Sequence, residues 1–453
     1  MAMPRVTSRT VAVLLLVSVC RAQECLPFWT GIQRRPSYGT MVAFDAGHGA
    51  AIYTDGFAVG APPYTDPPRR WNGHIFEPPA AGWMGETIDL RVLDDGTGPK
   101  LYAISIVDGL GHRRMFRWPG VSGSWEPTPP GMFHISFPGP QTGSVIPMFS
   151  SSTPGMAGLY GVKFDYPAGL DRVVRWNGRD WDSLGSTASP NEVYCMAELP
   201  TAHGPNLVVA GYFPDFEGFR GRHIVRWNGQ QWFNMGNVPG SARVMITWDD
   251  GNGPALYIGW TPEESQPPLV REGIARWTGA TWASVGGGLY QAISNGGSAR
   301  DMVVFDDGTG PALFVLGRFD CAGGPNGIPA RNIAKWDGQQ WHALGAGVGG
   351  FPDHLAVADD GRGPSLFVSG DFSFCGGGQV GRICQWVGCA GNRQCYADCD
   401  NNRVLTANDF MCFLNKYAAR DPYANCDGSA VSPVMTAADF QCFLNKYAQG
   451  CSR

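Results

Sequence analysis

The sequence predicts a mostly β protein, a seven-bladed β-propeller followed by a small α-helical module, and three observations carry that reading. The first is composition. Glycine (63) and proline (35) are abundant and only 16% of the 453 residues are charged, which suits short strands joined by tight turns better than long amphipathic helices. The second is a repeat of about fifty residues, within the range of propeller blades. The third is a pair of matching loop-helix segments after residue 390. A chain this long exceeds one ordinary core, and a hydrophobic content of 43% is enough to bury several.

The repeat has two interleaved parts. One is Arg or Lys, Trp, a turn residue and Gly, then a second aromatic. Its copies are Arg70-Trp71-Asn72-Gly73 with Phe76, Arg117-Trp118-Pro119-Gly120 with Trp125, Arg175-Trp176-Asn177-Gly178 with Trp181, and Arg226-Trp227-Asn228-Gly229 with Trp232. Arg276-Trp277-Thr278-Gly279 with Trp282 and Lys335-Trp336-Asp337-Gly338 with Trp341 follow, and Gln385-Trp386-Val387-Gly388 lacks its second aromatic. The other part is Asp-Asp-Gly ahead of an apolar-aromatic pair, at Asp94-Asp95-Gly96, Asp249-Asp250-Gly251, Asp306-Asp307-Gly308 and Asp359-Asp360-Gly361, with degenerate versions near Asp45, Pro154 and Gly204.

One unit reads as four antiparallel strands. Met302–Phe305 ends in the Asp-Asp-Gly turn, Leu313–Leu316 returns, a variable loop leads to Ile333–Trp336, and Asp337-Gly338 forms a hairpin because both residues tolerate positive φ. Trp341 opens the fourth strand, and the Trp pair is expected to pack between neighbouring units. Apolar faces covered only by neighbours require the ring to close. Since the seventh unit stops at Gly388, the segment Leu26-Pro27-Phe28-Trp29-Thr30 is expected to complete it, bringing Cys25 near Cys384 or Cys389 for a locking disulfide. The units resemble kelch-type repeats, with a glycine after the second strand (Gly317, Gly370) and then an aromatic, a hairpin and a Trp. That resemblance implies a propeller and little about activity.

The C-terminal segment carries the clearest metal chemistry. Asp398, Asp400, Asn402, Thr406 and Asp409 fall at the first, third, fifth, ninth and twelfth places of a loop, and the carbonyl of Val404 falls at the seventh. A hard cation such as Ca2+ needs six or more oxygens converging from such a turn. Phe410, Phe413, Leu414 and Tyr417 then mark one face of a helix. The second copy offers Asn425, Asp427, Ser429 and Asp439, followed by Phe440, Phe443, Leu444 and Tyr447, with three extra residues around Pro433. Fewer carboxylates predict weaker or no calcium binding there.

This doublet resembles a dockerin, and more closely the cysteine-rich dockerin-like modules that end exported planctomycete proteins in Gly-Cys, as Gly450-Cys451 does. The resemblance implies calcium-dependent attachment to a cohesin-like or other surface scaffold protein. Ala407-Asn408 and Ala437-Ala438 replace the usual hydroxyl pair that helps select a cohesin. Cys395 with Cys451 would clasp the module's ends, while the pairing of Cys399, Cys412, Cys426 and Cys442 is not readable.

Arg5 and Arg9, the apolar run Val11–Val19 and the small residues near Ala22 read as a secretion signal cleaved after Ala22, with lipoprotein processing at Cys20 as the alternative. The expected division is a signal peptide over 1–22, a propeller over 23–390 and a dockerin-like domain over 391–453. Export with an even cysteine count after cleavage points to disulfides. No later stretch is long enough to span a membrane. A net charge of −5 gives nucleic-acid binding no electrostatic support.

Catalytic signals are weak. Gly345-Ala346-Gly347-Val348-Gly349-Gly350 fits a dinucleotide pattern but is followed by Phe351-Pro352 rather than a helix. The Asp-Asp-Gly carboxylates, as metal or acid/base groups, are better explained as turns. His342, His354 and the other histidines form no catalytic pattern. The leading expectation is an exported, non-enzymatic binding protein whose loops, such as Pro214–Arg222 and Pro262–Glu272, hold a glycan or protein. The alternatives are a polysaccharide-active hydrolase or lyase on the same fold and a purely structural surface protein.

Overall fold

In a computed structural model of the chain, residues 27–388 are described except 33–39, 47–49, 55–67, 73–74, 78–85, 107–112, 119–123, 129–144, 166–169, 188–192, 214, 221–222, 237–241, 263–270, 295 and 360–363. Toward the C-terminus the described residues are 399, 407–420, 424, 426 and 436–449.

The repeat folds as the alternation of its residues requires. The sixth sheet shows the pattern, with strands Ser298–Asp306, Pro311–Arg318, Ile333–Trp336 and Trp341–Ala343 in sequential antiparallel order. The second strand is buried on both faces from Ala312 to Gly317, because a sheet stacked between two others has no solvent face there. Seven such four-stranded sheets occur among the described residues.

Their first strands pack in succession. Met41–Asp45 packs on Glu86–Asp94, then come Val145–Ser151, Val193–Leu199, Ala242–Asp249, Ser298–Asp306 and Phe351–Asp359, and the last packs back on Met41–Asp45. This is a β-propeller arrangement, with the first strands innermost.

The closing strand is where the repeat count placed it. Phe28–Ile32 pairs antiparallel with Ile383–Val387, in the order Phe28–Ile32, Ile383–Val387, Pro364–Asp371, Phe351–Asp359. Trp29 lies opposite Trp386, the same register that sets Trp181 opposite Trp176, Trp232 opposite Trp227, Trp282 opposite Trp277 and Trp341 opposite Trp336. The rings meet at 5.1 Å, against 5.0 to 5.3 Å in those four pairs.

The second Trp of a pair stitches one sheet to the one before it. Trp232 Nε1 donates to the Leu184 carbonyl at 2.6 Å, Trp282 to Met235 at 2.9 Å, Trp341 to Val285 at 2.9 Å and Trp29 to Leu344 at 2.7 Å. Leu184 lies within the fourth strand of the preceding sheet, and Met235, Val285 and Leu344 directly follow theirs. Close approach needs glycine there: a Cβ on Gly185 would lie 2.6 Å from Trp232 Nε1, and one on Gly286 would strike the Trp336 ring.

Two expectations are corrected. The Asp337 hairpin does not use two positive-φ residues: only Gly338 has φ near 98°. Four residues separate Trp336 from Trp341, and Asp337 Oδ1 holds them by accepting from the Gln339 and Gln340 N–H groups at 2.8 and 2.7 Å. Asn177 and Asn228 hold their turns in the same way. The proposed Cys25 bridge to Cys384 is excluded, because Cys384 is bonded to Cys375; Cys25 and Cys389 lie outside the described residues, as does the signal region. Nor do all cysteines pair, since Cys195 and Cys321 are free thiols.

No helix among the described residues is long and apolar enough to cross a membrane. Helices α1 (Ala407–Ala418) and α2 (Ala437–Gln449) form the C-terminal segment.

Removing the seam should be measurable. Trp29→Ala is expected to lower stability by about 3–5 kcal/mol and Gly185→Ala by about 1–3 kcal/mol through overpacking, both read as a lower midpoint in urea unfolding.

Candidate functional site

The two ends of the sheets are built differently. One end carries the Asp-Asp-Gly and Trp-hairpin turns. The other carries the connections between second and third strands and between successive sheets. At that second end, six of the seven first strands contain a register shift at the same level, leaving one residue without a cross-strand partner: Ile88, Met148, Tyr194, Arg243, Arg300 and Asp353. A one-residue bulge bends its strand and re-aims the side chain. Facing five of the six bulges is a glycine, Gly161, Gly211, Gly259, Gly317 or Gly370. A Cβ on Gly317 would run into the Ser298 carbonyl, and one on Gly370 would lie 2.6 Å from Pro352 Cα.

On four successive sheets the bulges therefore set Tyr194, Arg243, Arg300 and Asp353 on one rim. The Arg243 guanidinium lies 4.4 Å from the Tyr194 ring centroid, and Arg300 pairs with Asp353. Arg318 lies 4.3 Å from the centroid of Phe351, itself 49% exposed. Partial burial, then the charge of Arg300, pull the Arg318 pKa down, against the opposing charge of Asp353. Three guanidiniums beside one carboxylate make this a cationic, aromatic rim.

One carboxyl behind the rim is held differently. Asp301 accepts from the N–H groups of Leu355 at 2.7 Å and Met302 at 2.8 Å, which ties the sixth sheet to the seventh. Burial pushes its pKa up despite His354, whose Nδ1 is 4.0 Å away. Cys195 is likewise pushed up, to about 12, by burial, the opposite of an activated thiol.

The described part of one loop expected to hold a ligand, residues 215–220, fastens two sheets together. Asp215–Phe216 and Phe219–Arg220 form a small hairpin. Phe216 bridges to Thr187 of the preceding connection, and Glu217 Oε1 accepts from the Ser186 N–H at 2.7 Å. Cys375 bridges to Val348 in the same manner. The Gly345–Gly350 run belongs to that seam and is no nucleotide loop: Gly349 donates to the Phe374 carbonyl at 2.9 Å. Residues 263–270, most of the other expected loop, lie outside the described residues.

The Asp-Asp-Gly carboxylates have structural partners. The first Asp accepts from two turn N–H groups, as Asp306 does from Gly308 and Gly310 at 2.8 and 3.1 Å. The second accepts from the Arg or Lys of the other repeat motif. Asp95 is bonded by Tyr102 at 3.0 Å, Lys100 at 3.1 Å and Arg117 at 3.2 Å. Asp250 is bonded by Tyr257 at 2.8 Å and paired with Arg276 at 3.1 Å. Buried Asp307 takes Lys335 Nζ on both oxygens at 2.8 Å and, from the seventh sheet, Trp386 Nε1 at 3.0 Å. Burial alone would raise these carboxyls; hydrogen bonds from Thr97, Lys100 and Tyr102 outweigh it and hold Asp95 at about 2, and those from Lys335, Trp386 and Thr309 hold Asp307 below its ordinary value.

Of the calcium-ligand candidates, Asp398, Asp400, Asn402, Val404, Thr406, Asn425, Asp427 and Ser429 lie outside the described residues. Asp409 and Asp439 are described, both fully buried in the first turns of α1 and α2, where the helix dipole favours a carboxylate. Asp439 Oδ2 accepts from the Thr436 N–H at 2.8 Å, as in a capping box. The two halves match elsewhere. Cys399 is bonded to Cys412 and Cys426 to Cys442, at sequence separations of 13 and 16, so the three extra residues fall between Cys426 and Cys442. Buried Phe413 and Phe443 stack at 4.0 Å and 13°.

The rim was not read from the sequence, since a bulge needs two strands to be compared. The glycines near the ends of the second strands, such as Gly317 and Gly370, were its available trace.

No protein-family model matches this chain, and no curated protein sequence matches it. Among solved structures, the chain is similar to BBS1N, crystallised in complex with ARL6DN, at 10% identity and a TM-score of 0.40 over 81% of this chain and 97% of that one. It is also similar to YCF48 from Cyanidioschyzon merolae, at 12% identity and a TM-score of 0.42 over 80% and 99%. Likenesses this distant carry no statement about activity or partners.

Two outcomes follow from the carboxylate pairs. Asp307→Asn leaves Lys335 buried without its counter-charge and is expected to lower stability by about 3–5 kcal/mol. Because Asp95 and Asp307 have folded pKa values below their unfolded ones, their contribution is complete above about pH 4 and fades as pH falls toward 2. Urea midpoints measured from pH 7 to pH 2.5 should drop across that window, and drop less in Asp307→Asn.

Proposed function

We propose that this chain is an exported, non-enzymatic interaction protein: a seven-bladed propeller over residues 23–390 that binds a glycan or protein ligand, and a dockerin-like module over 391–453 that tethers it. The observation that carries the binding reading is the rim itself. Aligned bulges hold Tyr194, Arg243, Arg300 and Asp353 at one level of four adjacent sheets, with the guanidiniums of Arg243 and Arg300 toward solvent. Arginine over an aromatic ring is pre-organised for anionic groups, so the ligand favoured there is acidic.

The tether reading rests on the two loop-helix copies. Their cysteines pair in the same way and their buried Phe413 and Phe443 stack, which supports a doublet built on internal symmetry. Calcium bound through Asp398, Asp400, Asn402, Val404, Thr406 and Asp409 would organise the first loop, and through Asn425, Asp427, Ser429 and Asp439, more weakly, the second. The partner is a cohesin-like or other scaffold protein at the cell surface. The signal peptide read over 1–22 supports an exported location, extracellular, at the cell surface or periplasmic.

The reading as a polysaccharide-active enzyme has one observation in its favour, the raised pKa of Asp301 beside His354. Its two backbone hydrogen bonds favour a structural role.

Calcium titration of the full mature chain tests the module. A tight first site lost in Asp398→Ala and a weaker second one affected by Asp427→Ala are expected; two equal sites, or none, contradict the reading. Arg243→Ala with Arg300→Ala is expected to weaken binding to acidic glycans at least about tenfold without changing thermal stability. Release of reducing ends from a polysaccharide panel, lost in Asp301→Asn, would establish the enzyme instead.

A further inference from the structure

A second site lies at the opposite end of the sheets, in a repeat that lacks the aspartate bonded by the cation of the second, fifth and sixth sheets. The departure is visible because the repeats serve as their own comparison. Arg117, Arg276 and Lys335 each bond the second Asp of their own sheet's turn, and Arg226 bonds Asn206 Oδ1 at 2.6 Å. In the third sheet the turn is longer, Ser151 pairing with Gly158 where Asp306 pairs with Pro311. Ser151 and Ser152 stand in place of the two aspartates. The equivalent cation, Arg175, folds across Gly158, donates to the Ala157 carbonyl at 2.5 Å and lies 5.8 Å from the Tyr160 ring centroid. It is exposed.

A cleft of about 630 Å³ opens at that place, between the second and third sheets, lined by Asp94, Arg175, Trp176, Asn177 and Asp182 among others. This volume is within the range of small-molecule sites, about 300–1,000 Å³. Trp176 is half-buried there, as its equivalents Trp227 and Trp277 are, whereas Trp118 and Trp336 are 5% and 8% exposed. Asp182 is exposed and accepts from Asn177 Nδ2 at 3.0 Å.

We propose that this cleft binds a neutral sugar segment, as a site separate from the rim. Arg175 and the Asn177 amide offer donors, and Asp94 and Asp182 offer acceptors, beside the surface that Trp176 leaves open. Hydroxyl groups both donate and accept, so a neutral sugar satisfies both signs at once, and its C–H face suits an indole. An anionic ligand would gain Arg175 but meet the carboxylates of Asp94 and Asp182, and that of Asp95, which Lys100 and Arg117 already pair. A cation would meet the reverse.

The test uses the full mature chain, with cello-, xylo- and laminari-hexaose as neutral probes and an oligogalacturonate as the acidic one, followed by calorimetry. At least one neutral probe should bind, at least about tenfold more weakly in Arg175→Ala. Ser152→Asp restores the missing turn carboxylate, re-pairs Arg175, and should weaken binding equally with thermal stability kept or raised. This variant also decides the matter if Arg175→Ala unfolds. Binding of no neutral probe, binding of the acidic probe alone, or neutral binding unchanged in these variants overturns the proposal. Neutral binding lost only in Arg243→Ala with Arg300→Ala places the sugar at the rim and overturns the cleft while leaving the rim reading intact.

Discussion

The indole N–H of the fourth-strand tryptophan, donating to the backbone of the preceding sheet, is the contact on which the rest of this molecule depends. Each sheet is buried on faces that only its neighbours cover, so an unclosed ring would leave two of them in water. The bond is directional and recurs from Trp232 to Trp341. Trp29 makes it for the last sheet while coming from the other end of the chain. Glycine is the necessary counterpart, since the approach leaves no room for a Cβ at Gly185 or Gly286.

The same economy of positions gives the two ends of the sheets different work. At one end, Asp-Asp-Gly turns and the Arg or Lys of the next motif neutralise each other within a sheet, and Asp307 also reaches the next sheet through Trp386. These carboxylates hold the scaffold. At the other end, bulges, five of the six opposite glycines, release one residue from the ladder in six of the seven first strands, and the released side chains are the ones free to differ between repeats. Where a repeat loses its internal aspartate, as in the third sheet, a scaffold cation becomes available for something else.

Much of this was legible in the chain because it recurs. The Trp-Gly and Asp-Asp-Gly motifs marked the strand ends beside the turns of the sixth unit to within a residue or two, though the first strand starts at Ser298, four residues before the expected Met302, and the missing fourth strand after Gly388 pointed to Trp29. What was not legible depends on comparing strands distant in sequence. The bulges at Tyr194 and Arg300 are invisible without the partner strand. The pairing of Asp307 with Lys335 joins two motifs that the sequence shows only as separate signals. Cysteine pairing was open by counting alone, and the structure corrects one expectation by joining Cys384 to Cys375, nine residues away, where a bridge to Cys25 had been anticipated. The hairpin at Asp337 misled because a side-chain cap substitutes for a second positive φ.

Ring closure by residues 28–32 is the claim that most directly supports the others, and native-state amide hydrogen exchange on the full chain tests it. The account predicts that amides of Trp29 to Ile32 exchange as slowly as those of Ile383 to Val387, because they share one ladder. Fast exchange at Trp29 to Ile32 alongside slow exchange at Ile383 to Val387 would contradict it.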